Sequence, residues 1–280
     1  MRIRSTECEH EFTKKLFSKL GAYSLQGLTM SSDHRWTAAI EAIQYDDDEI
    51  VDLYSIFELN DLRAKYSLAK AIEVPLYFLI YQKGIYSVFF VSKTDHEFLF
   101  SREKEFGEDG FIDWWKSIKG TDQSKDFNNG AKPRTTTTIF DRVLEKHHLS
   151  WGGNIDGFIF RRQKPVCIIE NIYTYQNPLD SPYGEPSKYF FKRGPNYNTW
   201  YSSVKLANDL SVPLLLFTID GNMNKEHIGF TIIDHLSSKC IFYKEDVHPN
   251  ENIIEGLDNI VKVVNFHIAT IPYIKNDGHK

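Results

Sequence analysis

Cysteine is scarce in this sequence. Cys8, Cys167 and Cys240 are the only three in 280 residues, and they are far apart with no CxxC or Cys/His spacing. That excludes a disulfide framework or a structural zinc site as the organising device, and a reducing cytoplasm is the expected setting. Long apolar runs are missing too. The longest, VPLYFLIY at 74–81 and VPLLLFTI at 212–219, fall far short of the roughly 20 residues a membrane-crossing helix needs and read as buried strands. The opening MRIRSTECEHEFTKK is polar, without the apolar core of a secretory signal, so no membrane partner is expected. Nor is there an excess of positive charge. The net charge is −5, so any phosphate-binding surface must be a local patch. A Walker loop, a dinucleotide fingerprint and a Ser/His/Asp order are lacking as well, and Gly152 and Gly153 lead into a strand rather than a helix.

What is present is a pattern written twice. KAIEVPLYFLIYQKGIYSVFFV (70–91) and NDLSVPLLLFTIDGNMNKEHIGFTII (208–233) share a helix end, a Val-Pro turn, a buried strand, a polar turn and a second strand. Upstream, WTAAIEAIQY (36–45) corresponds to PVCIIENIYT (165–174), with an apolar helix before each; downstream, both copies read as a short strand followed by an amphipathic helix. Between them KGTDQSKDFNNGAKPRTTTT is rich in Gly, Ser, Thr, Asn and Lys and reads as a linker. The expected organisation is residues 1–120, a linker at 121–137, and residues 138–280. Each half is an α/β domain with a mixed sheet flanked by helices. In the second half the pattern predicts helices over 139–147, 197–210 and 253–264, and strands over 155–161, 166–173, 214–220 and 227–234.

IDGFIFRRQKPVCIIENI (155–172) carries the chemistry. It reads as a hairpin turning at RRQKP, with Asp156 on one strand and Glu170 on the next, a spacing that lets both carboxylates reach one face. Phosphodiester hydrolysis asks for a divalent cation, and hard oxygen ligands suit Mg²⁺ or Mn²⁺. The frame of an Asp strand, a Lys-Pro turn, an apolar strand ending in Glu, a helix (NYNTWYSSVKLANDL) and a further buried strand resembles the restriction-endonuclease-like PD-(D/E)XK nucleases over most of residues 139–234. The resemblance implies two tandem copies of that domain, set as a pseudo-dimer within one chain. It implies a Mg²⁺-dependent (or Mn²⁺-dependent) nuclease acting on DNA in restriction or antiviral defence, with Asp156 and Glu170 as metal ligands.

The family's third element is a lysine two positions after the glutamate. Here Ile172 stands there, and in the first half Ile43 follows Glu41 in the same way, while the place of Asp156 falls near Gln26. Lys205, which shares a helical face with Asn198 and Tyr201, is then the candidate cationic helper. The second half also runs longer between its glutamate and its helix. That loop interleaves Lys188, Lys192 and Arg193 with aromatic residues up to Tyr197, a composition suited to phosphate contact and base stacking. Two readings follow: a working nuclease, or a catalytically inactive relative that binds nucleic acid or a partner protein through this loop.

Overall fold

A computed structural model describes residues 3–4, 11–45, 48, 50–95, 97–119, 138–149, 151, 153–174, 197–220, 228–233, 242–247, 258–266 and 268–269. The linker at 121–137 and the basic loop with Lys188, Lys192 and Arg193 lie outside them. In chain order the elements are β1 (Ile3–Arg4), α1 (Glu11–Leu20), β2 (Ala22–Met30), β3 (Trp36–Gln44), α2 (Leu53–Ile56), α3 (Leu59–Ala71), β4 (Leu76–Gln82), β5 (Ile85–Lys93), β6 (Phe98–Phe106) and α4 (Glu108–Lys119). They continue with α5 (Ile139–Lys146), β7 (Gly153–Arg161), β8 (Lys164–Thr174), α6 (Tyr197–Asp209), β9 (Leu214–Asp220), β10 (Ile228–Ile233), β11 (Phe242–Val247) and α7 (258–266). The chain is α/β, as its pattern predicts. No helix among the described residues is long and apolar enough to cross a membrane.

Contacts divide the chain into two compact units. One is Leu25–Asn154 with Met1–Glu7, and the other is Ile155–Lys280 with Cys8–Ser24. The division differs from the expected halves in one respect: the helix that leads each half is counted with the other half's unit. In the first unit α5 and the turn after it bring Phe140, Val143, Leu144 and Leu149 onto Ala38, Ile40 and Ala42 of β3, beside Phe111, Trp114 and Trp115 of α4. In the second unit α1 sets Leu16, Phe17 and Leu20 against Ile159 of β7, Cys167 and Ile169 of β8, and Ile260 and Val264 of α7. Gly157 permits the close approach of α1, since a Cβ there would meet the Phe17 ring at 2.6 Å. Cys167 is a free thiol buried in this core.

Within each unit the strands pair in the same way. β2 and β3 are antiparallel, β3 and β4 parallel, and β4, β5 and β6 antiparallel. β7 and β8 are antiparallel, β8 and β9 parallel, and β9, β10 and β11 antiparallel. A parallel pair needs a crossover, and α3 and α6 supply it. Both crossover helices end alike. Glu73 (φ 58°) and Ser211 (φ 55°) take the left-handed conformation. The next residue then bonds back into the helix, Val74 N–H to Ala69 C=O at 3.0 Å and Val212 N–H to Ala207 C=O at 2.9 Å. The prolines that follow cannot donate, but their carbonyls accept, Pro75 from Ala39 N–H at 2.9 Å and Pro213 from Ile168 N–H at 3.0 Å. These bonds lock the register of β3 on β4 and of β8 on β9.

The expected elements of the second half are found with shifted ends. Its last helix is described at 258–266, where the pattern places one at 253–264.

Candidate functional site

The turn of the β7–β8 hairpin is Arg162-Gln163, both at positive φ (48° and 63°), the backbone a two-residue hairpin turn requires. It fixes Gly157 opposite Ile169, so Asp156 and Glu170 form the next pair along, and side chains directly opposite in an antiparallel pair share a face. The two carboxyl groups face each other, close enough for Asp156 to raise the cost of ionising Glu170. Asp156 also accepts the Asn171 backbone N–H at 2.8 Å through Oδ2. Glu170 is buried, and from α6 the Ser203 hydroxyl donates to its Oε1.

The first unit repeats this frame with different groups. Gly27 stands opposite Ile40, so Gln26 and Glu41 are the next pair. Gln26 Oε1 accepts the Ala42 backbone N–H at 3.0 Å, as Asp156 accepts that of Asn171. Glu41 and Glu170 sit at the same step of the parallel pairing, opposite Phe78 and Leu216, each three residues beyond the proline. The crossover helix again sends one residue to the glutamate, here Lys65, whose Nζ lies 3.2 Å from Glu41 Oε2 and 3.0 Å from Asp61 Oδ2. Lys65 and Glu41 are 1% and 0% exposed, and the ammonium also faces the Phe57 ring, 5.5 Å from its centroid. This is a buried ion pair closed by a cation–π contact.

Burial, and after it the like charge of Asp156, pushes the Glu170 carboxyl well above the usual carboxylate range, while the Ser203 hydrogen bond works the other way. Folded Glu170 therefore keeps its proton to higher pH than an unfolded glutamate titrating near 4.5. Between those two values the folded state binds more protons, so stability is full below the unfolded value and falls as pH rises toward the folded one. The slope is at most about 1.4 kcal/mol per pH unit for one proton. In the metal-free chain, Glu170→Gln is expected to remove this slope in melting temperatures followed by circular dichroism from acid to neutral pH. The same slope in the variant would assign the proton elsewhere.

The sequence-predicted residues thus fall into three groups. Asp156 and Glu170 come together. Lys205 is ion-paired with Asp209 at 2.7 Å, one turn along α6, and the α6 residue that bonds Glu170 is Ser203, two positions and about 200° of helix rotation away. Tyr197 opens α6, and the three basic loop residues are outside the described part. Ile172 continues β8 opposite Thr218. The sequence pattern passed over Ser203 and Lys65, although a signal exists: both stand nine positions before the valine of a Val-Pro turn.

Among the described residues, no three of His, Cys, Asp and Glu gather into a metal-binding group. Mg²⁺ is usually held by one or two carboxylates, with water and substrate phosphate completing its shell, and Asp156 and Glu170 are the residues here that could hold one. No family model matches the chain, and no curated protein matches it.

Proposed function

We propose that the second unit is a Mg²⁺-dependent, or Mn²⁺-dependent, nuclease site acting on DNA, with Asp156 and Glu170 as the metal ligands and restriction or antiviral defence as its setting. One observation carries the reading. Two carboxyl groups on adjacent strands are brought into contact at a mostly buried position, where the charge acting on Glu170 is a like charge and the helix contributes a hydroxyl. Such a pair holds either a proton or a cation. A divalent metal there would acidify a bound water and draw charge from a phosphate oxygen. The chain's own part is to hold the ligands rigidly. The Asn171 amide and the Ser203 hydroxyl each orient one carboxyl, and outer partners of this kind support metal affinity.

We also read the two units as tandem copies of a restriction-endonuclease-like domain. The repeated strand pairing, the twin helix ends and the equivalent glutamates favour it. Lys188, Lys192, Arg193 and Tyr197 remain the proposed nucleic-acid contacts; Lys205, paired with Asp209 on a different face of α6 from Ser203, serves as the proposed cationic helper only by leaving Asp209.

Ile172 favours a second reading, an inactive nuclease-fold protein that binds nucleic acid or a partner protein, because an aliphatic group can neither orient water nor carry charge. Cleavage of plasmid DNA in Mg²⁺ or Mn²⁺ separates the two. Glu170→Ala should lower the rate by at least about 100-fold, since even partners outside the metal's own shell cost 10- to 100-fold. Equal residual rates in wild type and variant would end the nuclease reading and leave the binder.

A further inference from the structure

We propose that one side chain on each crossover helix selects the cation held against the strand glutamate: Lys65 gives the first unit an internal ammonium, and Ser203 leaves the second to a divalent metal. The part concerning the second unit rests on the metal reading of Asp156 and Glu170, and the part concerning the first does not.

The two positions are equivalent by every local measure. Each lies nine residues before the valine that opens the Val-Pro turn, on the helix joining the same two parallel strands. Each reaches a glutamate at the same step of the register, Lys65 to Glu41 and Ser203 to Glu170. The exchange is also concerted with a second one. The residue opposite the glutamate is a neutral Gln26 in the first unit and an acidic Asp156 in the second.

Between the two trios, Gln26–Glu41–Lys65 and Asp156–Glu170–Ser203, one position loses a positive charge and one gains a negative charge. The first trio is neutral, with Asp61 beside Lys65 as a further carboxylate, and the second carries two negative charges when ionised, the charge that one divalent ion neutralises. An ammonium within 3.2 Å of Glu41, in a place with no exposure, also excludes such an ion from the first unit by charge and by volume. The chain is therefore expected to take up one metal ion at this frame, although it contains the frame twice.

The test counts Mn²⁺ bound to the full chain by electron paramagnetic resonance, with melting temperature as the companion measurement. Wild type should bind one ion. Ser203→Ala should still bind, about 10- to 100-fold more weakly, as expected for loss of a ligand-orienting partner. Ser203→Lys should bind none, and its melting temperature should no longer respond to Mn²⁺. Binding retained by Ser203→Lys overturns the proposal. The converse exchange, Gln26→Asp with Lys65→Ser, is placed in a chain whose own second site is removed by Asp156→Asn and Glu170→Gln. It should gain one Mn²⁺ and be stabilised by it through mass action. A chain of this kind that neither binds nor is stabilised by millimolar Mn²⁺ also overturns the proposal, and this arm decides alone if Ser203→Lys does not fold. If wild type binds no ion while the converse exchange does, the metal reading of the second unit falls and the selection rule stands. If wild type and Ser203→Lys bind equally, the rule falls and the metal reading stands.

Discussion

Expressed separately, residues 1–120 and residues 138–280 are each expected to show no cooperative unfolding transition, whereas the two fragments together should form a folded one-to-one complex. Each fragment lacks a helix of the unit it mostly supplies. The second unit takes Leu16, Phe17 and Leu20 of α1 into its core at 0%, 9% and 1% exposure, and α1 belongs to the first fragment. The first unit takes Phe140, Val143, Leu144 and Leu149, all buried, and these belong to the second. Burying one such side chain contributes about 1.5–3 kcal/mol, so losing α1 alone removes roughly 5–9 kcal/mol. A domain's whole stability is about 5–15 kcal/mol. Urea denaturation of each fragment and of the mixture checks this; a cooperative transition for an isolated fragment would show that its sheet closes without the exchanged helix. The common practice of cutting a two-domain protein at its linker is therefore the wrong dissection for this chain. A cut that kept the units whole would have to respect the helices, not the linker.

Lys65→Ala is expected to cost about 3–5 kcal/mol, the range for removing one partner of a buried ion pair. The cost comes from what is left behind more than from what is lost. Glu41 is fully buried beneath α3, and without the ammonium its charge loses a counter-ion that a neutral contact such as the Gln26 backbone N–H, 3.4 Å from Oε2, does not replace. Combining Lys65→Met with Glu41→Gln should cost much less than the sum of the single changes, because a neutral, well-filled pair needs no counter-charge. Denaturant unfolding of the four proteins gives the cycle. A cost below about 1 kcal/mol for Lys65→Ala would place the pair in the class of screened surface bridges and would remove the structural role assigned to it.

Much of this frame is legible in the residues. The paired Val-Pro turns mark where each crossover helix ends and each parallel strand begins, because a left-handed residue and a proline together permit little else. The spacing from Asp156 to Glu170 across RRQKP suits a tight hairpin that aligns the two carboxyls, and the strand register sets them as neighbouring partners. The match of Gln26 to Asp156 also follows from the strand pattern once the glutamates are aligned. The role of α6 is not legible in the same way. Lys205, Asn198 and Tyr201 share a helical face, but nothing local says which face rolls onto the sheet, and Ser203 turns out to be the residue set against Glu170. Lys65 looks like any solvated lysine on a helix of modest amphipathicity; its burial depends on an acidic group that arrives from β3.

What the sequence determined by itself is the order and kind of elements, their repetition, and the facing of one acidic pair, since each is set by neighbours a few residues apart or by the period of a strand. The tertiary structure alone decided which unit each leading helix packs into and which helix residue meets each glutamate. An amphipathic helix records that one face must leave water, but either of two similarly built units can receive it. That choice is made by long-range packing, in which a position without a Cβ such as Gly157, and the whole contour of a core, count for more than any local preference.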